Sequence, residues 1–271
     1  MLDSGVGGLT IARAITARLP AINLHYLADD AGFPYGGWPE EKLNRRICRL
    51  LSDRHRDVPA DAIVIACNTA STRVLPRLRA LLPIPVVGTV PAIKLATAAS
   101  KSKMISVLAT PATARSPYLR ALIKQFARGF DVSVVETPDL AAMAEGHFKG
   151  TAVDRQRLAR DIAPAFIDAC GRRTDTVVLG CTHYPLLLDE LQAAAPWPVN
   201  WLDPAQAVAS QLMRVLYPSC LIGGPHPIPA TFTFQWTSGT AAPELQARMR
   251  ELCLGSVPSS PDRHLTTGVS A

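Results

Sequence analysis

A chain of 271 residues that is 48% hydrophobic can bury one large core or two medium ones, so a globular protein of one or two domains is expected. No apolar run approaches the ~20 residues needed to cross a membrane, MLDSGVGG lacks the basic and apolar regions of a signal peptide, and the cysteines Cys48, Cys67, Cys170, Cys181, Cys220 and Cys253 are scattered with no CxxC pair. These features argue against a membrane protein, a disulfide framework or a zinc knuckle, and lead us to expect a cytoplasmic location, with free thiols and no metal.

The net charge of +6 owes much to RRICRLLSDRHR, residues 45–56. Leu43, Ile47, Leu50 and Leu51 recur there at helical spacing, so Arg45, Arg46 and Arg49 read as the wet face of an amphipathic helix. No aromatic interleaving or recognition motif accompanies them, and no nucleic-acid partner is expected.

In chain order, MLDSG reads as a very short strand, followed by a helix from about Leu9 to Leu19, strand INLHYLAD, a helix after Pro39, strand DAIVIACN, a helix near Val74 to Leu82 and strand PIPVVGTVPA. Then come MISVLATPAT, a helix after Pro117, strand DVSVVETPD, a helix near Leu158 to Cys170, strand TDTVVLGCTH, a helix near Leu186 to Ala195 and strand WPVNWLDPA. Val- and Ile-rich runs alternating with helices predict an α/β protein with mainly parallel sheets. The two lists match element by element. Cys67 and Cys181 each close the third strand of their list, and Val90-Pro91-Ala92 and Asp203-Pro204-Ala205 each close the fourth. An internal duplication of about 110 residues, hence two pseudo-symmetric α/β lobes, follows. Ligands of open parallel sheets lie beyond the carboxyl ends of the strands, so the active site is expected in the cleft between the lobes. Asp3, Asp29, Cys67, Thr110, Glu145 and Cys181 fall at or just past such ends.

Two opposed thiols suit inversion of a stereocentre, which needs a base on one face of a carbon and an acid on the other. A thiol titrates near pH 8.5 and is drawn toward the thiolate by a helix N-terminus, and both cysteines are expected just before a helix. Taken singly, each thiol reads more readily as a small core residue than as a catalyst. What packing does not explain is that ACNTAS and GCTHYP repeat the construction with polar Asn68, Thr69, Thr182 and His183 beside the sulfur. His183, two residues from Cys181, fits an orienter or proton shuttle as well as a core histidine. Glu145 fits a surface helix carboxylate, Asp29 and Asp30 a strand end, and PYGG a plain turn. DSGVGG fits a tight turn or an anion cradle, but it is not a GxGxxG dinucleotide fingerprint.

DSGVGG, ADDxxxPYG, ACNTAS, VPAIK and GCTHYPLL, in this order and spacing, resemble the glutamate racemases of the aspartate/glutamate racemase superfamily. The resemblance covers residues 1–205 and, more loosely, 206–254. It implies cofactor-independent interconversion of L- and D-glutamate by a cytoplasmic homodimer, supplying D-glutamate for peptidoglycan synthesis. By carry-over Cys67 and Cys181 are the catalytic thiols, Asp3 and His183 assist them, and Glu145 is a supporting acid. Ser4, Asn68, Thr69, Thr113 and Thr182 match positions that hold the ammonium and α-carboxylate groups, and the Pro34, Tyr35, Gly36 loop matches the part that holds the side-chain carboxylate. The family also implies a first lobe of residues 1–94 plus 206–254 and a second of 95–205, while 255–271 reads as a disordered tail. The chain departs from the pattern in its short strand before Asp3, which predicts lost sheet hydrogen bonds, and in Val90, where some members carry glutamate. The competing readings are a racemase of aspartate or another acidic amino acid, a one-cysteine decarboxylase or hydrolase, and a non-catalytic binder.

Overall fold

The computed structural model describes residues 1–169, 171–218, 231–239 and 241–254. The chain first forms β1 (Leu2–Asp3), α1 (Leu9–Arg18), β2 (Leu24–Ala28), α2 (Glu40–Asp57), β3 (Ile63–Ile65), α3 (Asn68–Leu81) and β4 (Val86–Gly88). There follow α4 (Ile93–Ala99), β5 (Met104–Ala109), α5 (Pro111–Ala114), α6 (Pro117–Phe126), β6 (Asp131–Glu136), α7 (Leu140–Phe148), α8 (Arg155–Ile162), β7 (Asp168–Ala169), β8 (Arg172–Arg173), β9 (Thr176–Leu179), α9 (Leu188–Ala194) and β10 (Asn200–Leu202). The chain ends with α10 (Ala205–Leu216), β11 (Phe232–Trp236) and α11 (Pro243–Leu254). Residues 1–89, with the described residues from 205 onward, form one compact unit, and Val90–Pro204 form another.

Each unit is built on a parallel sheet. The order is β11-β2-β1-β3-β4 in the first and β10-β9-β5-β6 in the second. Equating β1, β2, β3 and β4 with β5, β6, β9 and β10 makes the two orders identical, which is the duplication the sequence predicts; β11 is added outside β2. Central strands covered on both faces must be apolar throughout, and β3, β5 and β9 are buried at every residue. In the first unit Ile11 and Ile15 of α1 pack with Val208 and Leu212 of α10 over Val64 and Val87. On the other face Leu43 and Ile47 of α2 and Val74 and Leu78 of α3 cover Leu2, Ile63 and Ile65. In the second, α4 and α6 cover Ile105 and Val107, while α7, α8 and α9 cover Leu108, Val177 and Leu179.

Short as it is, β1 lies at the centre of its sheet, and the expected loss of hydrogen bonds does not occur. Leu2 and Asp3 are fully buried. The amides of Leu27 and Asp29 donate to the carbonyls of Met1 and Asp3, each at 2.8 Å, and Ala66 N donates to Leu2 O at 2.7 Å.

Two expected helices are corrected. The segment near Leu158 to Cys170 is helical only to Ile162; a 3-10 turn, Ala163–Ala165, then leads into the antiparallel hairpin β7–β8. Pro164 cannot donate to continue the helix, and Gly171, at φ 72°, supplies the left-handed residue of the hairpin turn. After Cys181 the chain makes a 3-10 turn, Tyr184–Leu187, before α9, so this thiol does not cap an α-helix as expected. The expected tail, 255–271, lies outside the described residues. Among the described residues no helix is long and apolar enough to cross a membrane.

Candidate active site

In the first unit β1 and β3 are neighbours in the sheet, so Asp3 and Cys67 emerge at adjacent carboxyl ends. Cys67 is the N-cap of the 14-residue α3, and its carbonyl accepts from Ser71 N at 2.8 Å. The aligned peptide dipoles there favour an anionic sulfur. The next turn is polar yet buried. Ser71 Oγ donates to Ile65 O at 3.1 Å and accepts from Thr89 N at 2.9 Å, which ties the start of α3 to the ends of β3 and β4. Asn68 is 1% exposed, and neither its Nδ2 nor its Oδ1 has a hydrogen-bond partner among the described residues. Burying an amide in that state is costly unless a ligand completes it.

Asp3 Oδ2 accepts from Gly8 N at 2.7 Å, closing DSGVGG into a turn at the head of α1. A Cβ on Gly8 would sit 2.9 Å from Ala66 Cβ and from Tyr26 Oη, so glycine here permits close packing. Ser4 and Thr69 are both buried.

The Pro34, Tyr35, Gly36 loop is held from inside. Tyr35 is 2% exposed, and its hydroxyl donates to Asp29 Oδ2 at 2.6 Å, which takes that hydroxyl away from direct ligand contact. Arg46 grips the same carboxylate through Nε (2.7 Å) and Nη2 (2.5 Å), and Thr237 Oγ1 donates to Oδ1 at 2.7 Å. Burial alone would push the Asp29 carboxyl up, but the hydrogen bonds from Arg46, Tyr35 and Thr237 hold it below the usual range. Tyr35 is pushed well up by its burial and by the Asp29 charge. Asp29 is thus a structural anchor beyond a strand end. Arg46, read from the sequence as wet helix face, is one of its ligands, with its side chain only 27% exposed.

In the second unit Cys181 follows β9, reached through Gly180, where a Cβ would lie 2.7 Å from Leu108 O. Its Sγ lies 4.0 Å from His183 Nδ1, and His183 Nε2 lies 2.8 Å from Glu145 Oε2. Cys181, His183 and Glu145 are 7%, 2% and 5% exposed. The result is a buried thiol–imidazole–carboxylate chain, and a ring flanked in this way can pass a proton to or from the sulfur. Thr182 is 1% exposed and its hydroxyl, like the Asn68 amide, has no partner among the described residues. Thr113 is fully buried; Thr110 Oγ1 donates to its Oγ1 at 3.2 Å and accepts from its amide at 3.4 Å, capping α5. Tyr184, buried beside them, contacts Thr137 Oγ1 at 2.6 Å.

The structure therefore gathers Asp3, Ser4, Cys67, Asn68 and Thr69 at strand ends of one unit, and Cys181, Thr182 and His183 at the equivalent end of the other; Glu145, expected at or just past a strand end, instead lies within α7 and meets the group through His183. The sequence reading missed Arg46, Thr237 and Lys149, the last of which pairs with Glu145. Glu145 and Lys149 stand four apart in a helical stretch, a detectable signal; Thr237 meets Asp29 from more than 200 residues away, and no local pattern announces that. Among the described residues no group of three or more His, Cys, Asp or Glu side chains is placed to hold a metal ion.

Each unit thus carries a buried thiol at a matched strand end, followed by a buried polar side chain that has no hydrogen-bond partner among the described residues. The Asp/Glu/Hydantoin racemase family model matches residues 10–212, and the chain belongs to that family. It is 49% identical over 217 residues to the glutamate racemase of Brucella ovis, covering 80% of this chain and 78% of that one. The glutamate racemase of Escherichia coli, solved with L-glutamate and the activator UDP-MurNAc-ala, superposes with a TM-score of 0.77 at 31% identity, covering 93% of this chain and 91% of that one. The Thermus thermophilus glutamate racemase, solved with beta-chloro-D-alanine, gives 0.65 at 30% identity over 94% and 91%.

Proposed function

We propose that the protein interconverts L- and D-glutamate by acid–base catalysis with Cys67 and Cys181 and without a cofactor. The observation that carries the reading is the matched pair of strand-end thiols, each beside a buried polar group with no partner among the described residues, Asn68 in one unit and Thr182 in the other. One sulfur, as thiolate, removes the α-proton from one face of the amino acid. The other, as thiol, returns a proton to the opposite face, and the roles exchange for the opposite enantiomer. Each turnover leaves the protonation of the two sulfurs interchanged. Asn68, Thr69, Thr113 and Thr182 hold the α-carboxylate and ammonium, with Ser4; hydrogen bonds there stabilise charge as it grows on the carbanion. The Pro34, Tyr35, Gly36 loop takes the side-chain carboxylate through its backbone, since the Tyr35 hydroxyl is already given to Asp29. Asp3 supports Cys67, and His183 with Glu145 supports Cys181.

The same reading carries a cytoplasmic homodimer that supplies D-glutamate for peptidoglycan synthesis, with a first lobe of 1–94 plus 206–254 and a second of 95–205. The test is incubation with L-glutamate, and separately D-glutamate, in deuterated buffer, following loss of the α-proton signal and chirality. Exchange with inversion from both enantiomers is expected, and its loss in both C67S and C181S. Activity that survives either substitution would point to one-cysteine chemistry; turnover of aspartate in place of glutamate would reassign the substrate.

A further inference from the structure

Glu145 has a second partner that the proposed chemistry does not use. Its Oε2 meets His183, while Oε1 receives Lys149 Nζ at 3.0 Å, so both oxygens are engaged and the carboxylate cannot rotate without breaking one contact. Glu145 and Lys149 are spaced i, i+4 in the favourable order, acid before base. The backbone fixes where the lysine stands. Lys149 is the C-cap of α7 and its amide donates to Glu145 O at 3.1 Å; Gly150 N reaches His147 O and Thr151 N reaches Gly146 O, both at 2.9 Å. That pair of bonds is the Schellman arrangement, which needs a left-handed residue after the cap, and Gly150 provides it at φ 100°. The helix thus ends where a cation is carried against a carboxylate whose side chain is 7% exposed, while the lysine side chain itself remains 44% exposed.

We infer that Lys149 is a positioning residue for proton transfer at Cys181: it holds Glu145 ionised and oriented toward His183, and so sets the imidazole that faces the sulfur. The inference rests on the two-thiol reading above. It makes the two half-reactions unequal, because the lysine acts through His183 on Cys181.

The experiment compares K149M and K149R with the parent enzyme, using α-deuterated L- and D-glutamate. In K149M, kcat is expected to fall about fivefold, the size of a charge-assisted contact discounted for its exposure, with KM nearly unchanged; K149R restores most of it. The primary isotope effect should rise for one enantiomer only, the one whose α-proton Cys181 removes. Parent-like kcat in K149M, an equal loss in K149R, a change confined to KM, or isotope effects that rise equally for both enantiomers would each overturn the inference. An inactive parent enzyme would instead overturn the two-thiol reading.

Discussion

Arg46→Met tests the anchor beneath the 34–36 loop. Asp29 is fully buried and its carboxylate accepts four hydrogen bonds, two of them from Arg46. Removing one partner of a buried pair costs about 3–5 kcal/mol. Because the Arg46 side chain is 27% exposed, water recovers part of this, and about 2–3 kcal/mol is expected. For a chain of this size that corresponds to roughly 4–12 °C in Tm. The sign with pH is fixed by the anchor. The Asp29 carboxyl lies below its usual range in the parent, so its stabilisation is present above the normal carboxylate pKa and is lost only as pH falls through the depressed value. In R46M burial dominates and pushes the carboxyl up. The gap between parent and variant should therefore be widest near neutral pH and narrow on acidification, as the variant relieves its unpaired charge by taking up a proton. D29N/R46M should lose less than R46M alone. Thermal unfolding of the three proteins at pH 7 and pH 5 decides it; a Tm within a degree of the parent, or a gap that grows toward pH 5, refutes the reasoning.

The hydroxyl of Thr182 is buried without a partner among the described residues, so T182V should leave stability unchanged or raise it by up to ~1 kcal/mol. The same change should raise KM for glutamate severalfold, measured in a chiral assay beside a denaturation curve. G180A should destabilise by about 2–3 kcal/mol in the same denaturation experiment, because its methyl would stand 2.7 Å from a backbone oxygen that has nowhere to move.

Most strands up to residue 205 could be read from the sequence because buried parallel strands are written as uninterrupted Val and Ile runs, and TVVLG and AIVIA mark the two that carry the thiols; their order within each sheet was not read. Helix α3 shows where local pattern fails. Its periodic stretch was expected near Val74 to Leu82, because Asn-Thr-Ala-Ser-Thr has the composition of a loop, yet the helix begins at Asn68, directly after Cys67. Those residues are helical because Ser71 bonds to the strand ends, a tertiary gain that overrides propensity. Pro76 inside the same helix further disguised it. No elements were expected for the stretch from residue 206, where α10, β11 and α11 are found; FTFQW becomes a strand by pairing with LHYLA of β2, far away in the chain. The thiols, His183 and Glu145 were legible as residue types in a motif. The Asp29 anchor was not, because its ligands come from a helix, a loop and a distant strand end.

The re-entrant path of the chain has a consequence for synthesis. Residues 90–204 form a contiguous unit and can complete their sheet as soon as they leave the ribosome. The earlier residues must wait: α1 lacks its cover until α10 arrives, β2 keeps an open edge until β11 pairs with it, and Asp29 lacks its last ligand until Thr237 has been made. The part of the protein translated first is thus finished last, and throughout that interval β2 offers an unpaired edge of the kind that recruits foreign strands.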